Sequence, residues 1–481
     1  MKITVAGFFG KEVSVKDWRQ HEGRITGGFI LASGFILFFN LWARGLENHD
    51  YLRYAEVVRE MIRSGDWVVM RLNGEVYLDK PPLLFWLMAI PSSIHGSVTP
   101  FLARLPVTLS AWIGLLVVFL WGKRIYGTPL AGLVSAGILL SSYQYFTQAR
   151  MAKTDMLLCA LVLLALYTFF LGYEKTSRGR LLCFGFSFFF MGLGVLTKGP
   201  FGFFIPFPVL ALFLIKEGKA RVLVERAFIL GYVILLLIVL PWVLLFIQRF
   251  GLDQSIALLK ATHPLSRQAP FYFYFLEIWG QFAPWSLLLP FLGFFIWKER
   301  SRVWHSPESL FVLWFLLLFI LLTLFKVRVS RYLLPALPPL ALMLGGRWKN
   351  RVVYFLLPFL LMVFFLHLRD WNWVRKDLQY SPGKRLTTEI RPMLGSASLY
   401  GYRLDIATLE EINFYLDPDR PVPRLERRED LSKPPNKEGK ALVLMTSKNY
   451  NTLKTEAGSS LTLIREFNYK KDRLVLASIN P

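Results

Sequence analysis

Long apolar runs separated by short clusters of basic residues fill the chain from about residue 25 to residue 368. Roughly 20 apolar residues cross a bilayer as one helix. Runs of that kind at 25–43, 101–121, 128–147, 155–173, 181–197, 200–215, 227–248, 284–297, 309–325, 332–346 and 352–368 predict eleven spans. Several contain Gly and Pro, which membrane helices tolerate. Segment 82–95 is apolar but short, and reads as a re-entrant or interfacial helix or a further short crossing. After residue 368 the pattern changes. Pieces at 397–402, 441–445 and 474–479 read as strands, 407–416 and 447–455 as helices, and the Pro- and charge-dense 420–435 as a loop. The expected fold class is an all-α polytopic membrane domain over 1–368, with a first outer loop at 44–100, followed by a C-terminal soluble α/β domain over 369–481.

The first outer loop has its own pattern. Leu52, Ala55, Val58, Met61 and Ile62 recur at helical spacing, while Arg53, Glu56, Arg59, Glu60 and Arg63 fill the other face. This predicts an amphipathic helix ended by Ser64 and Gly65, lying along the membrane surface with its charges outward. Leu72-Asn73-Gly74-Glu75 reads as a turn. Pro81 and Pro82 then fix the chain behind Asp79 and Lys80. Taken one at a time, Asp50 fits a helix N-cap, Arg53, Tyr54 and Tyr77 are ordinary interfacial residues, and Lys80 fits a headgroup-facing cation.

Composition agrees with the spans: 54% of the chain is hydrophobic, with 42 Phe and 15 Trp, and mean hydropathy is +0.42. That excludes a disordered chain or an ordinary soluble enzyme. The net charge of +23 is not a nucleic-acid signal. The N-terminus and the loops at 123–124, 175–180, 216–226, 298–302 and 347–351 hold 20 basic residues and fewer than half as many acidic ones. By the positive-inside bias these are cytoplasmic, which places the N-terminus inside and the tail outside. No secretory signal peptide is expected, since the first apolar run begins near Thr26 and no cleavage-type site follows. Cys159 and Cys183 sit in apolar runs and give neither a disulfide framework nor a metal cluster. There is no Walker A, GxGxxG or HExxH sequence, so no nucleotide cofactor is expected.

What remains is a set of ionisable residues at outer span ends, where basic residues should be scarce: Arg104, Arg150, Lys153, Asp155, Lys198, Lys326, Arg328 and Arg331. Lys and Arg snorkel readily, so any one of them has a bland explanation. Together they favour a polar cavity whose excess of cations suits a phosphate.

The wording of these segments resembles a known family. Residues 50–56 (DYLRYAE), 64–67 (SGDW), 71–74 (RLNG), 77–83 (YLDKPPL), 101–106 (FLARLP), Thr154-Asp155, 196–200 (LTKGP) and 330–335 (SRYLLP) are similar to the lipid A aminoarabinose transferases. These are relatives of the protein O-mannosyltransferases within the GT-C membrane glycosyltransferases. The resemblance implies about eleven to thirteen spans. It also implies a bacterial inner-membrane location, and transfer of a sugar from a polyprenyl (undecaprenyl) phosphate donor to lipid A or another periplasmic acceptor. The expected partners are therefore that donor, that acceptor and membrane lipids, and not nucleic acid. By the resemblance, Asp50 is the catalytic or site-organising aspartate and Asp155 a second carboxylate. Lys80 contacts the donor phosphate beside Arg53, Tyr54 and Tyr77. Lys198 is a further cavity lysine, and Arg331 precedes Tyr332, a tyrosine on a mobile loop. His263 and Arg267 fall in the region of a metal-ligand histidine and a phosphate-binding arginine.

Two departures stand out. Tyr51 replaces the family's usual Glu after the first Asp, and Asp79 replaces Glu before Lys-Pro-Pro. The second shortens the reach of any carboxylate that, with His263, would hold a divalent metal. Thirteen spans would require 82–95 and part of 270–283 to cross. The competing readings are a protein O-mannosyltransferase and, from another class, a lipid or anion transporter.

Overall fold

A computed structural model of the 481-residue chain describes residues 2–3, 13–14, 22–42, 46, 49–252, 269–325, 327–348, 358–369, 382–395, 397–416, 422–432, 441–457, 461–470 and 472–479. It divides into two compact units. One comprises 1–41, 66–69 and 77–370; the other comprises 42–65, 70–76 and 371–481.

The first unit is helical. Among the described residues, Pro100–Tyr126, Thr154–Tyr173, Ser177–Lys198 and Arg226–Phe250 are long and apolar enough to cross a membrane. Phe273–Gln281 and Trp285–Lys298 would pass together as one span but are bent by 115°. Shorter apolar helices include Thr26–Phe38, Leu83–His95, Pro129–Leu140, Ser309–Leu324 and Pro358–Arg369. Helix starts follow from local chemistry. Thr99 and Thr128 each precede a Pro at the first helical position, and their hydroxyls accept from Leu102 N and Leu130 N.

Three predicted continuous spans are broken. The run 128–147 stops at Leu140 and restarts as Tyr143–Ala149. There Ser141 and Ser142 hydroxyls donate back to the Gly137 and Leu139 carbonyls, competing with the helix ladder. The run 200–215 divides into Phe201–Phe204 and Pro206–Lys216, because Pro206 has no N–H to continue the ladder. The run 332–346 begins as a 3-10 turn, Ser330–Ala336, before the helix Leu337–Trp348. Pro335 lies within that turn, and Pro338 and Pro339 open the helix that follows.

The second unit is built on a five-stranded sheet. Its strands follow a hairpin of β1 (Arg71–Leu72) and β2 (Glu75–Val76), turned by Asn73 and Gly74 at φ +54° and +81°. The sheet contains β3 (Ser398–Tyr402), β4 (Arg424–Leu425), β5 (Ala441–Thr446), β6 (Leu461–Tyr469) and β7 (Asp472–Ile479), in the order β4-β3-β5-β7-β6. β3 pairs parallel with β4 and β5, whereas β7 pairs antiparallel with β5 and β6. Leu442, Leu444, Leu474 and Leu476 face Leu386, Ile390, Leu409 and Ile412 of the helices Pro382–Leu394 and Ile406–Leu416. Val443, Met445, Val475 and Ala477 face Tyr450 and Leu453 of the helix Ser447–Ala457. Burial on both faces explains why the inner strands read as unbroken apolar runs. The predicted C-terminal α/β region is therefore present. The predicted loop 420–435 contains β4 and a short helix, Arg428–Ser432.

The helix His49–Ser64 belongs to this second unit. Its charged face was expected to point into water. Instead Glu56 and Arg59 are buried. Arg59 pairs with Glu56 and donates to Asn413 O at 2.7 Å and Phe414 O at 3.2 Å. Arg53 Nε lies 3.5 Å from Glu410 Oε1. Asn413 also reaches Asn73 Oδ1 in the hairpin turn at 3.0 Å. The carbonyls at the end of the Ile406–Leu416 helix attract the arginine, as helix C-termini attract cations.

Candidate functional site

Asp155 is the second residue of the helix Thr154–Tyr173, and Lys198 is the last of Ser177–Lys198. An anion in a first turn and a cation in a last turn each suit the helix dipole. The TKGP turn fixes the lysine. Gly199 adopts φ +66° and ψ −147°, a region open essentially to glycine. Behind it, a Cβ on Gly202 would stand 2.0 Å from the Gly194 carbonyl carbon, so the chain can double back only with hydrogen there.

The side chains then converge. Lys198 Nζ forms an ion pair with Asp155 Oδ1, and Arg331 Nε lies 3.2 Å from Oδ2. Lys198 Nζ also sits 4.1 Å from the centre of the Tyr332 ring, within cation–π range. Lys153 adds a further positive charge near Asp155. Asp155 itself is only 5% exposed. One carboxylate thus organises three cations, leaving a local excess of positive charge where water is scarce.

Asp79 and Lys80 lie close enough to act electrostatically on Tyr332. Lys80 Nζ donates to Asp79 Oδ1 at 2.7 Å and to the Asp79 carbonyl at 2.9 Å. Tyr77 donates its hydroxyl proton to Asp79 Oδ2 at 3.3 Å. Tyr77 packs edge-on against Phe85 of the next helix, which holds its ring. The 66–69 segment is tied to the same unit by Trp86 and Trp242, whose indoles donate to Trp67 O and Val68 O, and by Arg249 on Asp66.

Of the residues singled out from sequence, Tyr77, Asp79, Lys80, Asp155, Lys198, Arg331 and Tyr332 therefore come together in the first unit. Arg53 and Tyr54 belong to the second, on the helix that begins with His49 and Asp50. The side chain of Asp50, and the whole of His263, Arg267 and Lys326, lie outside the described residues. A divalent metal on Asp79 does not fit the donors seen. Each carboxylate oxygen already faces a proton donor, and the Lys80 ammonium stands where a cation would. No group of three or more His, Cys, Asp or Glu suited to a metal occurs among the described residues. Arg104 and Arg150, also noted from sequence, serve the end of the first helix, donating to Leu41 O at 3.2 Å and Leu37 O at 2.7 Å. A cavity of about 260 Å³ lined by Phe29, Ile36, Val134, Gly137, Trp285 and Phe359 among others is almost wholly apolar and holds none of the site cations.

Comparison with known proteins shows what the chain as a whole is similar to. Residues 79–245 match a family described as dolichyl-phosphate-mannose-protein mannosyltransferase. The chain is 29% identical over 345 residues to an undecaprenyl phosphate-alpha-4-amino-4-deoxy-L-arabinose arabinosyl transferase of Edwardsiella ictaluri, covering 67% of this chain and 59% of that protein. It is 27% identical over 340 residues to transferase 2 of the same name from Pseudomonas fluorescens, covering 67% and 56%. The aligned stretch thus spans under two thirds of these relatives. The crystal structure of ArnT from Cupriavidus metallidurans superposes with a TM-score of 0.75 in the apo state and 0.74 bound to undecaprenyl phosphate. At 19% identity the match covers at least 95% of this chain and 98% of that one. The chain has the GT-C fold of that protein, and the resemblance read from its sequence holds.

Proposed function

We propose that the chain is a membrane glycosyltransferase that moves an aminoarabinose-like sugar from undecaprenyl phosphate to lipid A or a related acceptor outside the membrane. The observation that carries this reading is the cluster of Lys153, Lys198 and Arg331 around the buried Asp155, with Tyr332 and Lys80 beside it. A surplus of cations in a water-poor site suits a lipid phosphate. The relatives whose names include undecaprenyl phosphate, and the ArnT structure bound to it, support the same donor.

In the transfer, the bond from the sugar's anomeric carbon to the donor phosphate oxygen breaks, and its electron pair leaves with the phosphate. An acceptor oxygen forms the new bond from the opposite face, so a single displacement inverts the centre. Lys198, Arg331 and Lys80 stabilise the charge that grows on the leaving phosphate. Asp155 holds two of those cations in place through its two carboxylate oxygens. A phosphate acceptor is already ionised and needs positioning alone. A hydroxyl acceptor, as in the mannosyltransferase family matched by residues 79–245, would need Asp50 as base. Beside Asp79, the Lys80 ammonium supplies a positive charge of its own.

The loop charges support an orientation with the N-terminus cytoplasmic and the tail in the periplasm of a bacterial inner membrane. The test is turnover. Purified protein in lipid nanodiscs receives undecaprenyl-phosphate aminoarabinose with either lipid A or a serine-containing peptide, and products are read by mass spectrometry. Sugar on lipid A supports the reading; sugar on the peptide alone replaces the acceptor; loss of donor from one leaflet without transfer indicates a transporter.

A further inference from the structure

The turn that carries Arg331 and Tyr332 is held from behind by side chains that are not part of the cation cluster. Gln144 Nε2 donates to the Ser330 carbonyl at 2.6 Å, one residue before Arg331. The Tyr274 hydroxyl accepts from Val329 N at 3.2 Å and donates to the Val329 carbonyl at 3.4 Å. Both bonds go to backbone, so they set the path of the chain whatever side chains it bears. Gln144 comes from the helix Tyr143–Ala149 and Tyr274 from Phe273–Gln281, giving two independent supports. Gln144 is 1% exposed and Tyr274 0%. Gln144 Oε1 is buried and makes no hydrogen bond among the described residues. Leaving a buried acceptor unpaired costs about 1–3 kcal/mol. An apolar side chain of that size would fill the space without the cost, so packing alone does not account for the glutamine.

We infer that Gln144 and Tyr274 are positioning residues that latch the Val329–Ser330 backbone and thereby aim Arg331 and Tyr332 at Asp155 and Lys198. The inference rests on the transfer reading above and adds two residues that act through Arg331 and Tyr332 rather than on the substrate.

The test uses the full chain in nanodiscs with undecaprenyl-phosphate aminoarabinose and lipid A. Gln144→Leu and Tyr274→Phe are made singly and in the Arg331→Ala background. Donor and acceptor kinetics are measured together with amide hydrogen exchange across 329–334. Each single variant is expected to lose about tenfold in kcat/KM, with the lipid A KM unchanged and exchange faster over 329–334. In the Arg331→Ala background the further loss is expected to be smaller than in the wild-type background, because only the aim of Tyr332 then remains to be lost. A full tenfold loss added to Arg331→Ala, or wild-type kinetics in both variants, overturns the positioning role. Should wild-type protein turn over no donor, the transfer reading falls, and unchanged exchange in both variants would then remove the latch as well.

Discussion

Asp155 and Lys198 stand 43 residues apart in the chain, yet their carboxylate and ammonium meet as an ion pair at the ends of two neighbouring membrane helices. Breaking a buried pair by removing one partner leaves an uncompensated charge, at a cost of about 3–5 kcal/mol. Lys198→Met is therefore expected to lower thermal stability in detergent more than the double variant Asp155→Asn/Lys198→Met does. Equal losses would mean the pair is solvated. Both proteins should lose at least about a hundredfold in transfer, since each removes a cation from the leaving phosphate.

Lys80 is a milder case. It is partly exposed, and its ammonium is held by the Asp79 carboxylate and carbonyl. Lys80→Ala should leave unfolding temperature unchanged within error and raise the donor KM by about tenfold or more. A change in stability with no change in donor KM would assign the lysine a structural role instead.

Gly202→Val places a side chain against the Gly194 backbone in a space that has no room for a Cβ. The turn bearing Lys198 must then move. Overpacking of this kind costs about 1–3 kcal/mol or more. Activity should fall well below the level that lost stability explains, measured as turnover per folded molecule. Gly293→Val, at an exposed helical glycine whose Cβ would meet nothing within 4 Å, provides the comparison.

In the second unit, burial pushes the Glu56 carboxyl up to about 7, with Glu60 adding to the effect and Arg59 opposing it. The folded state then holds a proton that the unfolded state releases near pH 4.5. The contribution of this group to stability is full below that value and is lost as pH rises through about 7. Protection in the helix His49–Ser64, corrected for the intrinsic pH dependence of amide exchange, should fall between pH 4.5 and 7, the difference corresponding to at most about 3 kcal/mol. Glu56→Gln should flatten that dependence. An unchanged slope in the variant would assign it to another group.

Most of the fold was legible as sequence because a bilayer demands one thing, a long apolar run, at every crossing. The breaks at Ser141–Ser142 and at Pro206 were not, since each depends on local competition for backbone groups rather than on hydrophobicity. Strand Leu461–Tyr469 was missed because it is an edge strand whose residues are mostly exposed, with no apolar alternation to see. The role of Arg59 was hidden for a different reason. Its partners lie about 355 residues away, and a charged helical stripe reads as a wet face until its cover is known. For the site, TKGP and SRYLLP marked Lys198, Arg331 and Tyr332 by resemblance, and their convergence on Asp155 required the fold. Gln144 and Tyr274 left only faint signals, a glutamine and a tyrosine within apolar stretches.

The central claim is that the cations around Asp155 bind the phosphate of a polyprenyl donor. Its most direct test is the equilibrium affinity of the full chain in nanodiscs for undecaprenyl phosphate, compared among wild type, Lys198→Met, Arg331→Ala and Gly293→Val. The account predicts about tenfold or greater weakening for each lost cation, steeper salt dependence in wild type, and no change in Gly293→Val. Equal affinity in all four proteins would contradict it.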